Sequence, residues 1–161
     1  MEGPRRIDPD RDDMKALLQL IRTAFASMDG VIDPPSSAHE LTAESLRDKA
    51  RLETGFVIMD EGLPVACLFC RPERPDTLYL GKLAVDPARQ GRGLGRLLLA
   101  AADDLARAAG LRRLRLETRV ELDGNHRTFE RWGFVKTGES RHPGFSRTTA
   151  IDMERAVPEV P

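Results

Sequence analysis

Apolar positions change their spacing several times along the chain, and each change marks an element. Over residues 10–26, Met14, Leu17, Leu18, Ile21 and Phe25 recur at helical steps and share one face. A loop follows at residues 29–37, punctuated by Pro34-Pro35, and Thr42 is placed to cap a second helix over residues 42–52. The pattern then becomes strand-like. Residues 56–59 and 63–70 are separated only by Asp60-Glu61-Gly62, a connector that demands an antiparallel hairpin. Another strand is expected at 78–85, after a turn over residues 71–76 that contains two prolines. Residues 94–109 carry the strongest helical stripe, with Leu94, Leu97, Leu98, Ala101, Ala102 and Leu105 on one face and Gly110 placed to end it. Beyond it the pattern predicts a strand at 113–118, a short helix at 125–132 and strands at 134–137 and 146–153. Residues 5–7 make a brief first strand.

These elements imply an α/β (α+β) protein with one mixed sheet of about six to seven strands and about four helices. The early strands are antiparallel. The strand–helix–strand unit over residues 78–118 requires a parallel, right-handed crossover. A length of 161 residues suits one domain, expected over 1–155, with 156–161 as a frayed tail. No apolar run approaches the roughly 18 residues a membrane helix needs, and the charged start lacks a signal peptide's apolar stretch, so a cytoplasmic location without membrane attachment is expected. Cys67 and Cys70 lie inside a strand-like run with no second pair, which favours core packing over zinc or redox chemistry, and no metal site is expected. Trp132, Phe134 and Tyr79 also read as core.

Net charge is only −1, but it is unevenly spread. Residues 7–61 hold twelve acids and six bases, whereas 88–119 hold eight arginines against three acids. A nucleic-acid binder would be basic overall, so nucleic acid is not an expected partner. The basic half suits a compact polyanion, and the acidic half, with Asp29 and Asp33 in its loop, hints at a cationic ligand.

The basic half concentrates at the start of the long helix. Helix starts favour acids, because the first backbone N–H groups lack partners and the dipole is positive there. Here Arg89, Arg92 and Arg96 crowd that start, and no acid occurs from Arg89 to Ala102. Gly91, Gly93 and Gly95 lack Cβ atoms and let main-chain N–H groups approach a ligand. A pyrophosphate fits this arrangement. A P-loop is excluded by the absence of Gly-Lys-Ser/Thr. A dinucleotide fingerprint fits less well, because Arg96 stands where the third glycine would be and an antiparallel hairpin precedes the loop; Glu117, at a strand end, could still imitate its ribose-binding acid, so a nicotinamide oxidoreductase stays as a rival.

Gln90-Gly91-Arg92-Gly93-Leu94-Gly95 matches a Gln/Arg-x-x-Gly-x-Gly/Ala signature. With Leu83-Ala84-Val85 before it and Asn125 to Gly133-Phe134 after it, the chain resembles the GNAT family of acyl-CoA-dependent N-acetyltransferases over about residues 78–134. The resemblance implies a splayed central pair of parallel strands with the cofactor's pantetheine in the gap. It implies acetyl-CoA as co-substrate and an amine acceptor, a primary amine on a small molecule or a peptide, as partner, and it leaves a homodimer open. By resemblance, the backbone of Leu83, Ala84 and Val85 would bond the pantetheine and polarise the thioester carbonyl. Arg89, Gln90, Gly91, Arg92, Gly93, Leu94, Gly95 and Arg96 would hold the pyrophosphate, while Asn125 and Phe129 would contact the cofactor arm.

The expected reaction is direct attack of a neutral amine on acetyl-CoA, which needs one proton removed and one delivered. Many family members place a tyrosine four residues before the Gly-Phe pair as the acid. Phe129 occupies that position here, so the acid is unassigned and can be water. Glu117 is the candidate base, with an ion pair to Lys82 or Arg115 as its competing role. His142, before the last strand, is a candidate substrate contact. His126 follows Asn125 and is expected to be exposed. A non-catalytic acyl-CoA-binding or sensing module on the same fold is the alternative.

Overall fold

A computed structural model describes residues 1–73 and 75–160. The first strand, β1 (Glu2–Arg6), leads to helix α1 (Met14–Phe25), which begins four residues later than its apolar pattern predicts. The reason is local. Asp13 Oδ1 accepts the N–H groups of Lys15 and Ala16 at 3.0 and 3.1 Å and fixes the cap there, while Asp12 is held by Arg5. Helix α2 (Ala43–Leu52) starts as expected, because Thr42 and Ser45 form a reciprocal capping box. Strands β2 (Thr54–Asp60), β3 (Leu63–Glu73) and β4 (Thr77–Val85) form an antiparallel meander. Helix α3 (Leu94–Ala108), β5 (Arg113–Arg119), α4 (Asp123–Arg131), β6 (Val135–Ser140) and β7 (Ala150–Ala156) complete the chain.

Among the described residues the sheet has seven strands in the order β1-β2-β3-β4-β5-β7-β6, and only β4 and β5 pair in parallel, as their connection through α3 requires. Alternation along each strand divides the core into two layers. Leu78, Leu80, Leu114, Leu116 and Met153 face α3, meeting its Leu94, Leu98, Leu99 and Ala102. Val57, Cys67 and Phe69 face α1 and α2, meeting Met14, Leu17, Ile21 and Leu46. Cys67 and Cys70 thus sit in opposite layers, both buried and free, and burial pushes both thiols up to about 12.

Three expected boundaries are corrected. The third strand runs to Glu73 instead of stopping at 70, because Arg71 and Glu73 pair with Tyr79 and Thr77; Arg74, which the expected turn included, lies outside the described residues. The last strand begins at Ala150 rather than 146, since Thr149 Oγ1 holds the preceding segment in a loop by bonding the His142 N–H at 2.9 Å. The tail is not frayed at 156–158. Ala156 pairs with Arg113, the Val157 N–H bonds Arg112 O at 2.8 Å, and Arg107 bonds Pro158 O at 2.6 Å. Pro161 lies outside the described residues.

Candidate active site

Pairing between β4 and β5 ends at the Leu80–Leu116 rung, although the strands continue to Val85 and Arg119. Beyond that rung β4 keeps β3 on one side and has no strand on the other. Lys82, in the stretch where β3 and β4 slip register, adopts a left-handed φ of 50° that bends the strand locally. The gap opens into a cavity of about 500 Å³ that passes through the sheet. One mouth lies among Phe25, Ile32, Pro34 and Pro35 of the α1–α2 connection; the other lies among Gly95, Asn125, Phe129 and Trp132.

Of the glycine-rich loop, Gly95 alone lines this mouth and brings the start of α3 to it. Helices α1 and α2 have side-chain caps, but α3 has none and no acid in its first turn. Its first internal bond runs from Leu97 N–H to Gly93 O, leaving the preceding N–H groups unpaired within the helix. Gly91 and Gly93 hold φ values of 80° and 77°, which other residues adopt only at a cost, and a Cβ at either would meet nothing within 4 Å. Their role is therefore conformational. Gly95 is different. A Cβ there would lie 2.6 Å from the Trp132 ring, so this glycine admits an indole rather than a ligand. Leu94 contributes only its main chain, because its side chain is buried in the core. Arg92 and Arg96 are exposed, whereas Arg89 is already held by Asp86 at 2.9 Å and Asp60 at 3.3 Å.

The opposite mouth carries mixed charge. Glu117 and His142 both line the cavity. Glu117 accepts from Arg115 at 3.1 Å, whose guanidinium also grips Glu73 and Asp152 at 2.8 Å each. Lys82 does not pair with Glu117; its Nζ bonds Ser37 Oγ at 2.7 Å, and desolvation, with Lys49 and Arg119 nearby, lowers its affinity for a proton. His142 Nδ1 lies 2.6 Å from the hydroxyl of fully buried Thr149. The same hydroxyl accepts the His142 main-chain N–H at 2.9 Å, so both contacts fix the ring against the wall. Burial, then Arg119, lowers the imidazole's titration from its usual range.

Several expectations are corrected here. Tyr79 is not core: it lies half-buried between the guanidiniums of Arg71 and Arg115, 4.3 and 4.7 Å from its ring centre, because its strand position faces away from α3. Trp132 packs against the α3-side core but is only half-buried, and it also borders the cavity, edge-on to Phe129 with ring centres 5.6 Å apart. Phe134 is core. His126 is half-buried with Nε2 2.9 Å from Arg119 O rather than exposed. Asp29 and Asp33 do not line the large cavity; they are tied to His39 at 2.6 Å and Arg147 at 3.3 Å. Sequence reasoning missed Lys82 and Thr118 as lining groups, for no local motif marks where two strands separate.

Among the described residues there is no cluster of His, Cys, Asp and Glu suited to a metal, and no helix long and apolar enough to cross a membrane. No curated protein matches the sequence. The fold is close to several solved structures. The ribosomal-protein-S18-alanine N-acetyltransferase of Escherichia coli superposes with a TM-score of 0.71 at 21% identity, covering 98% of this chain and 94% of that one. An aminoglycoside 6'-acetyltransferase type Ii gives 0.75 at 16% identity, with 98% of each chain covered. The PaiA N-acetyltransferase of Thermoplasma acidophilum, solved with coenzyme A, gives 0.76 at 15% identity over 94% of this chain and 96% of that one. These likenesses establish the fold. A family model for the acetyltransferase (GNAT) family matches residues 14–134, most of the chain, and the splayed β4–β5 pair with its glycine-rich helix start lies within that match; the protein is a member of the GNAT acetyltransferase family.

Proposed function

We propose that the protein transfers an acetyl group from acetyl-CoA to the nitrogen of a primary amine by direct attack. The observation that carries this reading is the through-sheet cavity, which joins an uncapped, arginine-flanked helix start to a separate mixed-charge mouth. The diphosphate would sit on the main-chain N–H groups of residues 91–96, with Arg92 and Arg96 adding charge-assisted bonds. Arg89 would join them only by releasing Asp86 and Asp60. The pantetheine would run along the unpaired side of Leu83, Ala84 and Val85, where a main-chain N–H would stabilise the oxyanion of the tetrahedral intermediate. Asn125 and Phe129 would flank it.

The acceptor would enter between the α1–α2 connection and His142. Its nitrogen forms the new bond to the carbonyl carbon, its surplus proton passes to Glu117, and the sulfur leaves with the C–S electron pair. Glu117 is favoured over His142 as acceptor of that proton, because Nδ1 of His142 is already engaged by Thr149. His142 would instead hydrogen-bond the acceptor through Nε2. The test is calorimetric titration with CoA, acetyl-CoA and NAD, then an amine screen that detects free thiol. Binding of CoA but not NAD, with amine-dependent thiol release, supports the reading. Binding without release from any amine would favour a CoA-sensing module instead.

A further inference from the structure

Two half-buried cations at the acceptor mouth have no carboxylate to answer them. Lys82 and Arg119 stand on the two strands that border the gap, each beyond the last paired rung at Leu80–Leu116, and both line the cavity. Both reach the α1–α2 connection. Lys82 Nζ bonds Ser37 Oγ at 2.7 Å, and Arg119 bonds the carbonyl oxygens of Pro34 and Pro35 at 2.6 and 3.1 Å. Among the described residues neither forms an ion pair, whereas Lys49, a neighbouring cation, is held by Glu53 at 2.7 Å. Burial weakens the hold of both on a proton, and Lys82 is further opposed by Lys49 and Arg119. Charges that meet only neutral oxygens leave part of their desolvation cost unrecovered. Lys82 carries a second cost. Its φ of 50° is unfavourable for a lysine, and a glycine there would relieve it, so the side chain calls for a use. The ammonium is within reach of a ligand, since its partner Ser37 is exposed and lines the same cavity.

Among the described residues the charged lining consists of Glu40, Lys82, Glu117 and Arg119, two of each sign. A simple amine would answer only the acids. An amine that also bears a carboxylate, a zwitterion at neutral pH, answers both signs, whereas a dianionic phosphate would leave surplus charge. On the acyl-transfer reading proposed above, on which this inference rests, the amine faces Glu117. We infer that the acceptor is an amino acid whose carboxylate is bound by Lys82 and Arg119. Lys82 has two N–H donors left beside the one given to Ser37. Arg119 gives one N–H of each terminal nitrogen to the prolines and keeps the rest, Nε included. The carboxylate takes no part in bond making. It fixes the direction in which the amine meets the thioester.

Paired acceptors test this: α- and ω-amino acids against their carboxamides, which present the amine without the negative charge, with free thiol measured at saturating acetyl-CoA. The wild type is expected to prefer at least one acid over its amide by about tenfold or more in kcat/KM, the scale of a hydrogen bond between charged groups. Lys82→Met is expected to cut that acid-to-amide ratio by about tenfold, chiefly through the KM of the acid, and Lys82→Glu to invert it. The ratio cancels any general loss of activity, and calorimetry with CoA shows that each variant is folded. The wild-type ratio needs no variant. A wild type that prefers no acid over its amide overturns the inference, as does a ratio that Lys82→Met and Lys82→Glu leave unchanged; acyl transfer stands in both cases. A wild type that binds no CoA, or releases thiol with no amine, overturns the acyl-transfer reading itself and is distinguished by that result.

Discussion

Gly95 provides the sharpest mechanical test of the site. An alanine Cβ at this position would lie 2.6 Å from Trp132 Cη2 and 3.0 Å from Cζ2. Carbon atoms rest comfortably at about 3.5–4.0 Å, so the indole must withdraw by roughly 1 Å. It has little room to do so. Phe129 stands edge-on to it with ring centres 5.6 Å apart, and Phe129 is itself backed by the buried Phe134 at 6.1 Å. Overpacking of this kind costs about 1–3 kcal/mol. Alanine's better helix propensity returns about 1 kcal/mol, so the single change is expected to destabilise by roughly 0–2 kcal/mol. The decisive quantity is the coupling between the two sites. In a cycle of Gly95→Ala, Trp132→Leu and the double variant, followed by urea unfolding, the double variant should recover about 1–3 kcal/mol relative to additivity. Gly95→Ala should also weaken CoA binding, because the displaced indole enters the cavity. Coupling near zero would refute the contact between ring and helix, and with it this account of why the third glycine is there.

Other outcomes follow from the same structure. Gly93→Asp places a carboxylate at the α3 start and should abolish CoA binding in calorimetry, while Cys67→Ala, remote from the anion mouth, should leave it intact. Arg155 and Asp103 form an ion pair with side chains only 14% and 11% exposed, so Arg155→Met should cost about 3 kcal/mol or more by urea unfolding, and adding Asp103→Asn should restore part of it. His142 should titrate below the ordinary 6.5 by NMR. Because the unfolded chain then holds more protons at this site than the folded one, stability from it declines as pH falls through and below 6.5; a His142 value at or above 6.5 would contradict the assigned burial. Both thiols, buried and pushed up to about 12, should resist labelling at neutral pH until the protein unfolds.

The element order and the parallel crossover were legible because α3 and β4 have strong, uninterrupted periodicities, and the uncapped, acid-free start of α3 was legible because arginines stand where a helix start ordinarily prefers acids. What could not be read was anything set by the opposite wall. The pattern around Tyr79 is that of a buried strand, and only the pairing of β3, β4 and β5 shows that its ring meets Arg71 and Arg115 instead of apolar side chains. Three glycines in one motif look equivalent in sequence; two are needed for φ and one for an indole 37 residues away. Asp29 and Asp33 suggested a cationic ligand, but charge in a loop says nothing about whether His39 and Arg147 already hold those carboxylates. Lys82 has no sequence signal, since a lysine in a strand is ordinary until its ammonium is found at a cavity without a carboxylate partner.

Arg119 fastens the α1–α2 connection through the carbonyl oxygens of Pro34 and Pro35, at 2.6 and 3.1 Å, and Arg147 reaches the carbonyl of Asp33 at 3.0 Å. Because these latches grip mainly peptide groups, side chains such as Met28 and Glu40, which line the same mouth, are free to diverge while the segment stays docked. On the proposed reading, selectivity for one amine over another would drift by exchanges in this strap alone. The wall proposed to receive the thioester, built from different elements, would be untouched by such drift, so retargeting the protein to a new acceptor should begin at Met28 and Glu40.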